Sequence, residues 1–565
     1  MRFSRFRRYL AAKKYLYLIF LVVVVGSAYP LVADFFTKGE PREALVARAM
    51  IEDGEFVLPK VYGDETAYKP PMFHWLEAAS SLLTDGKITP LSARLPSAIA
   101  IFVLAGATFI FFSQRRPITL ALLASLVFLT TLDPHRFGII ARVDMLLATF
   151  IVLSLYGLYV WGEERERKGL PWSVVFLMSG GFLTKGPVGV LLPLLIFLVF
   201  ALFRKYPVWK TLLKVVALGL LASVIPLVWY YLAWQKGGED FLRLVWNENF
   251  LRFVGVTDDT LFYPLGHEGA FFKPLIYFVL GLVPWTLIAF FVRWGRKGAS
   301  FTRLRPLHLF ALVAGVVTLL FYMIPMSKSS SYLLPMYPFA ALWVAEELYH
   351  FVRKSDDRLI GFSILMSVIG GALLVAMVAL QAGFDPATIG IEEGTVFGEG
   401  LRRHFGLTLF GELLLVVGIL TIAYQIIRKN YHKLAFATVF LAFILHFNID
   451  VPAMAYYKET NSARPFAEKV STVIGEAPVY VISDLPDGLY NLYGLAFYMG
   501  KRPVELETAD PDEGYLVVWE KDLGNLRSER LQNYEIEVLG EDDHEIKEGG
   551  RAVLLSFRKL RPQSR

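Results

Sequence analysis

The chain has 565 residues, of which 55% are hydrophobic and only 19% charged, with a formal net charge of +6 and no cysteine. A soluble globular chain carries roughly a quarter charged residues, so the apolar excess here belongs against lipid. The missing cysteines exclude disulfides, thiolate nucleophiles and cysteine-ligated metals. No soluble basic face of the kind that grips nucleic acid is visible.

The N-terminus, Met1 to Lys14, is basic and leads into an apolar run, Tyr15 to Val32. That run is too long for a signal-peptide core and no small-residue cleavage site closes it, so it reads as an uncleaved first transmembrane helix. Candidate spans then follow in order: 15–33, 95–113, 117–133, 141–161, 171–184, 186–203, 211–234, 271–293, 307–325, 331–350, 359–380, 404–426 and 433–450. These make about thirteen, and the shorter ones must be tilted, paired or partly re-entrant. Basic residues cluster in alternate connections: the N-terminus, Arg115/Arg116, Arg165/Arg167/Lys168, Arg204/Lys205/Lys210, Arg293 to Arg305, Arg353/Lys354/Arg358 and Arg428/Lys429/Lys433. With thirteen spans all of these fall on one side, which the positive-inside rule makes the cytoplasm. The N-terminus is then inside and the C-terminus outside.

The outer side receives most of the extramembrane chain: a loop at 34–94, a second at 235–270 and a third near 381–403. Residues 1–455 read as a transmembrane domain with large outer loops. Residues 456–565 read as a soluble α/β domain. There the pattern predicts helices at Ala463–Ile474 and Leu489–Met499, and strands at Pro478–Ile482, Val504–Glu507, Tyr515–Trp519, Tyr534–Val538 and Ala552–Phe557. No internal repeat of the transporter kind is present.

Chemistry-bearing residues gather in the outer segments. Gly39-Glu40-Pro41-Arg42 opens a helix-like stretch in which Ala44, Ala47, Arg48 and Ile51 recur at helical spacing. Glu40 reads either as a helix-start acid or as a carboxylate aimed at a cleft above the membrane. Lys69 precedes Pro70-Pro71, which hold it in extended backbone. It reads as a snorkelling lysine or as one placed to meet a lipid phosphate. Asp144, after Arg142-Val143, opens an apolar run. An ionisable residue at the lip of a span is a functional candidate; the structural alternative is a salt bridge with Arg142 or Arg136. Thr184-Lys185-Gly186-Pro187 divides two short apolar runs. The second outer loop carries Trp246 to Phe253, with Arg252, and His267. Ser327-Lys328 and Tyr332-Leu333-Leu334-Pro335 join two later spans. Lys69, Arg252, Lys328 and Tyr332 share one membrane face with the two carboxylates, a grouping suited to an anionic lipid.

These motifs resemble the GT-C class of polyprenyl-phosphate-dependent glycosyltransferases, closest to the aminoarabinose transferase branch related to the protein mannosyltransferases. The matching pieces are Glu40-Pro41-Arg42, Lys69-Pro70-Pro71, Ala93-Arg94-Leu95-Pro96, Val143-Asp144, Thr184-Lys185-Gly186, Trp246 to Phe253, Leu282-Val283-Pro284-Trp285, Ser327-Lys328 and Tyr332 to Pro335, in family order over residues 1 to about 350. The resemblance implies a GT-C-like polytopic helical fold of about thirteen spans with a periplasmic α/β domain, in the bacterial inner membrane. It implies transfer of one sugar, with inversion, from a polyprenyl-phosphate donor to a periplasmic acceptor such as lipid A or another glycolipid. Asp144 and Glu40 would be the candidate base and orienting acid. Lys69, Arg252, Lys328 and Tyr332 would bind the donor phosphate, with Arg42, Lys185 and His267 as further site candidates.

Two departures stand out. The family's Asp-Glu pair is Gly39-Glu40 here, so one carboxylate is missing. Where relatives carry Glu before Lys-Pro and His in the second loop, this chain has Tyr68 and Asn249. No metal and no other cofactor is therefore expected, since His267 alone does not make a metal site. The chain is expected to act as a monomer among membrane lipids. The alternatives are a lipid-linked sugar flippase or transporter, a protein O-mannosyltransferase, and an inactive scaffold with a periplasmic binding domain. A transporter would place its charges nearer mid-membrane.

Overall fold

The computed structural model describes residues 17, 21, 30–35, 37, 39–61, 66–248, 269–292, 304–389, 398, 400–403, 405–460, 462–482, 488–529, 531–542 and 551–560. The chain divides into two compact units. One comprises 1–31, 68–73 and 94–452, and the other 32–67, 74–93 and 453–565.

The first unit is a bundle of apolar helices. Among the described residues seven helices are long and apolar enough to cross a membrane: Pro90–Ser113, Val143–Glu164, Val208–Trp246, Pro306–Met323, Arg358–Gln381, Phe405–Ile427 and Tyr431–Asp450. The pair Ile118–Leu129 and Leu132–Gly138, bent by 66°, gives an eighth if it counts as one span. This is a multi-pass membrane protein. The first expected span, 15–33, lies almost wholly outside the described residues. The expected spans at 171–184 and 186–203 form a hairpin of shorter helices, Trp172–Lys185 and Val188–Phe203. The one expected at 271–293 is a helix, Lys273–Gly281, followed by a 3-10 segment, Trp285–Phe290. The helix expected to end at 234 runs on to Trp246. It passes through Gly238, whose φ of 60° breaks the regular backbone; glycine alone adopts such a value at little steric cost.

Burial separates inner from outer helices. The most apolar window of Val143–Glu164 is 78% buried, whereas those of Arg358–Gln381 and Phe405–Ile427 are each 28% buried. The first therefore lies inside the bundle, and the other two turn Leu and Val toward lipid. Inside, aromatic rings and satisfied hydroxyls fill the space. Phe111 stacks on Tyr156 at 4.0 Å between centroids, and the Tyr156 hydroxyl meets Thr108 Oγ1 at 3.0 Å. Trp285 is fully buried and its Nε1 donates to Thr130 Oγ1 at 3.2 Å. Where helices lack a hydrophobic drive to associate, close backbone approach takes over. A Cβ on Gly189 would lie 2.2 Å from the carbonyl carbon of Gly181, so the hairpin Trp172–Phe203 closes this tightly only because position 189 is glycine.

The second unit holds a five-stranded sheet ordered β2-β1-β3-β5-β4. The strands are β1 (Val479–Val481), β2 (Val504–Glu505), β3 (Glu513–Trp519), β4 (Tyr534–Glu541) and β5 (Ala552–Lys559). β1 runs parallel to β2 and β3, and β5 lies antiparallel between β3 and β4. Each strand expected from the sequence is present, as are the helices Arg464–Ile474 and Gly488–Met499. The second strand is shorter than expected, because Leu506 begins a helical turn, Leu506–Ala509. The helix Glu520–Glu529, polar through most of its length, carries too little apolar periodicity to be read. Leu516, Val518, Val553, Leu555 and Phe557 form the core on one side of the sheet.

This unit also contains the helix Gly39–Asp53 of the first large loop and, from His74 on, the helix Met72–Ser80. The former packs on Gly488–Met499. Arg48 Nη1 donates to the Phe497 carbonyl at 2.8 Å, its guanidinium stacks 4.2 Å over the Phe497 ring, and Arg502 pairs with Asp53 at 2.8 Å.

The Gly181–Gly189 approach makes a direct prediction. Gly189→Val overpacks the hairpin and should cost at least about 1–3 kcal/mol, read as a lowered melting temperature or loss of monodisperse protein in detergent. Gly371→Ala, whose added Cβ meets nothing within 4 Å, should leave melting nearly unchanged.

Candidate active site

The central residue is Asp144. It sits in the first turn of Val143–Tyr159, where helix amide dipoles favour a carboxylate, and is only 3% exposed. Lys185 Nζ donates to Asp144 Oδ1 at 2.5 Å. Arg142 Nε lies 3.5 Å from Oδ2, and Lys69 adds further positive potential at the same carboxylate. Oδ2 accepts no hydrogen bond among the described residues. The structural alternative raised from sequence, a salt bridge with Arg142 or Arg136, is present with Arg142. Lys185 makes the shorter contact.

Local sequence explains how Lys185 gets there. It is the last residue of Trp172–Lys185, where the helix dipole favours a cation. Gly186 follows at φ 83°, with its N–H bonded to the Phe182 carbonyl, and Pro187 leads into the next helix. The chain reverses at Lys185 and delivers its ammonium to the end of the neighbouring helix. Lys185 Nζ also lies 4.7 Å from the centroid of the Tyr332 ring, a cation–π distance. Tyr332 in turn packs on Tyr322 at 5.1 Å. The first unit therefore brings together Asp144, Lys185, Arg142, Lys69 and Tyr332.

Lys328, expected as a ligand of the donor phosphate, bonds to the backbone of its own turn. Its ammonium is buried, with the residue 3% exposed. It donates to the carbonyls of Met323, at 2.5 Å, and Pro325. Burial holds it below the ordinary lysine pKa. Two of its three N–H donors are spent on tying the turn that leads to Tyr332, and one remains.

Glu40 and Arg42 belong to the second unit. Both are buried in the first turn of Gly39–Asp53. The Thr37 N–H donates to Glu40 Oε2 at 3.3 Å, the helix-start contact expected as one of its two readings. One turn on, Glu43 accepts from His74 Nε2 at 2.7 Å, both side chains buried. Sequence reasoning passed over this pair, because 31 residues separate its members and neither stands in a periodic pattern. Arg252 and His267 lie outside the described residues. Among the described residues no group of three or more His, Asp or Glu is placed to hold a metal ion.

The comparisons now bear on this geometry. The family described as dolichyl-phosphate-mannose-protein mannosyltransferase matches residues 68–230, the stretch that carries Lys69, Asp144 and Lys185. The undecaprenyl phosphate-alpha-4-amino-4-deoxy-L-arabinose arabinosyl transferase of Pectobacterium atrosepticum is 24% identical over 479 residues, covering 82% of this chain and 80% of the relative. Its namesake from Pectobacterium carotovorum is 24% identical over 565 residues, covering 93% and 95%. The crystal structure of ArnT from Cupriavidus metallidurans bound to undecaprenyl phosphate superposes with a TM-score of 0.73 at 18% identity, covering 96% of this chain and 97% of that one.

The chain is a glycosyltransferase dependent on a polyprenyl-phosphate-linked sugar, similar in fold to the GT-C class.

In this transferase the Asp144–Lys185 pair has a measurable consequence. Breaking a buried pair from one side leaves an uncompensated charge, at a cost of about 3–5 kcal/mol, whereas removing both partners can be nearly neutral. Lys185→Met should therefore destabilise the protein more than the double variant Asp144→Asn/Lys185→Met. Thermal unfolding of the two single variants and the double variant would show additive losses if the pair were not coupled.

Proposed function

We propose that the chain transfers one sugar, with inversion, from a polyprenyl-phosphate donor to an acceptor at the periplasmic face of the bacterial inner membrane, with lipid A as that acceptor. The observation that carries this reading is the buried Asp144 carboxylate with Lys185, Arg142 and Lys69 around it, inside residues 68–230. The curated relatives named above use an undecaprenyl-phosphate-linked sugar by name, and 4-amino-4-deoxy-L-arabinose is the first sugar to test.

In the proposed reaction an acceptor oxygen attacks the anomeric carbon while the bond from that carbon to the phosphate oxygen breaks. The electron pair leaves with the phosphate, so negative charge grows there. Lys69 and Arg252 meet that charge, and the Tyr332 hydroxyl hydrogen-bonds it. Lys185 holds Asp144 in place and contributes a second positive centre; Lys328 anchors the turn behind Tyr332. The acceptor proton passes to a carboxylate. Asp144 has an oxygen open to accept it, and Glu40 is the second carboxylate assigned to acceptor activation or orientation. Arg42 and His267 remain secondary candidates. The topology proposed with this chemistry has thirteen spans, a cytoplasmic N-terminus, a periplasmic 456–565 domain and a monomeric enzyme.

Transfer from purified undecaprenyl-phosphate aminoarabinose to lipid A in detergent tests the reading. Asp144→Ala and Glu40→Gln should each lower kcat by about 10²–10⁴-fold, the range expected for a positioned acid or base. Lys69→Ala should lower kcat/KM with donor concentration as the sensitive variable. Wild-type transfer should persist in EDTA. Folded wild-type protein that moves no sugar from any polyprenyl-phosphate donor would refute the proposal.

A further inference from the structure

Asp144 and Glu164 stand near opposite ends of one span, Val143–Glu164. At about 1.5 Å per helical residue the two lie some 30 Å apart, close to the thickness of a hydrocarbon core. At the Glu164 end the first unit forms an open cavity of about 710 Å³ whose lining includes Ser113, Arg115, Arg116, Arg305, Tyr349 and Arg353. Its size suits a small ligand, and it plays no part in the chemistry at Asp144.

The charges around it do not balance. Arg115 pairs with Glu164, donates to the Phe111 carbonyl at 2.6 Å and lies 3.9 Å over the Phe111 ring. Arg116 pairs with Glu346 at 2.6 Å, a carboxylate it shares with His308 at 3.0 Å. The buried Nε of Arg116 makes no hydrogen bond among the described residues. Arg305, just before Pro306–Met323, and Arg353, in the last turn of Tyr337–Lys354, have no carboxylate partner among the described residues. Two guanidinium charges are thus left over at one concave site, beside the hydroxyls of Ser113 and Tyr349. A basic bias in loops at one membrane face follows from topology alone. Topology does not require three separate chain segments to line one cavity with arginine.

We propose that this cavity binds a phosphate group. A phosphate diester carries one negative charge and a monoester about −1.5 to −2, so either offsets part or all of the charge of the two guanidiniums left without a carboxylate among the described residues, and guanidinium forks bind phosphate oxygens bidentately. Basic pockets between membrane helices suit lipid headgroups, so the phosphate comes either from an anionic lipid of the adjoining leaflet or from solution. The inference stands apart from the sugar-transfer reaction.

The test uses full-length protein freed of bound lipid in detergent. Binding of phosphatidylglycerol, phosphatidylcholine, inorganic phosphate and pyrophosphate is measured by native mass spectrometry and thermal shift, for wild type and for the double variant R305Q/R353Q. The expected result is saturable binding of phosphatidylglycerol but not phosphatidylcholine, weakened at least tenfold in the variant. Arginine-dependent binding of inorganic phosphate or pyrophosphate alone supports the site and assigns it to soluble phosphate. Binding as tight in the folded variant as in wild type overturns the proposal. So does wild-type protein that binds none of the net-anionic phosphate probes more tightly than zwitterionic phosphatidylcholine, a result that stands even if the variant does not fold.

Discussion

The Asp144 carboxylate is almost wholly removed from solvent, and its ionised form depends on the ammonium of Lys185 at 2.5 Å. Removing such a charge from water costs several kcal/mol even after relaxation, more than one distant cation returns. The pair therefore imposes conditions on the surrounding fold. One helix must begin where the next one ends, and the chain must reverse within a residue or two of Lys185. Gly186, at a φ of 83°, makes that reversal, and the Gly181–Gly189 contact lets the returning helix lie against the outgoing one. Glycine at these positions contributes little energy of its own. It permits the geometry in which a buried ion pair is tolerable.

The cations near this pair divide the work. Lys185 faces Asp144 and the Tyr332 ring. Lys328 is turned inward onto two carbonyls, so it shapes the segment ahead of Tyr332. Lys69 is only half-buried and follows a different segment, ahead of two prolines that stiffen its backbone. Lys185 and Lys328 therefore do different work, one against a buried carboxylate and one against backbone carbonyls, although their side chains are chemically identical.

Much of the membrane architecture was legible because hydrocarbon imposes a strong and simple pattern. Runs such as 95–113, 359–380 and 404–426 appear within a few residues of their positions in the fold. The strands of the α/β unit were legible for the same reason, with apolar alternation bounded by turn residues. Asp144 stood out because a carboxylate at the head of an apolar run is costly. Lys185 stood out as a site candidate but not as the partner of Asp144: it lies 41 residues away, and no local pattern specifies which loop lysine reaches the carboxylate. Nor did Lys328 reveal that it serves backbone carbonyls, since a buried ammonium and an exposed one look alike in sequence. The association of the Gly39–Asp53 helix with Gly488–Met499 rests on Arg48, Phe497, Arg502 and Asp53, contacts that span more than four hundred residues and have no periodic signature.

One helix carries a charged site near each end, and the two ends solve the same electrostatic problem in opposite senses. Near the first, a buried carboxylate draws cations from separate segments. Near the second, Glu164 and Glu346 each hold one arginine, and the cavity is left with more cation than carboxylate. Separated by about the hydrocarbon thickness, the two sites share no side chain and little direct Coulomb energy. Perturbations at distances well beyond 7–10 Å ordinarily add. A change at the arginine cavity that altered chemistry around Asp144 would therefore have to travel through the Val143–Glu164 helix itself. That helix is the most deeply buried of the long apolar helices among the described residues, and its tight aromatic packing against Phe111 and Phe339 resists small displacements. Independence of the two ends is the physical expectation, and it follows from packing as much as from distance.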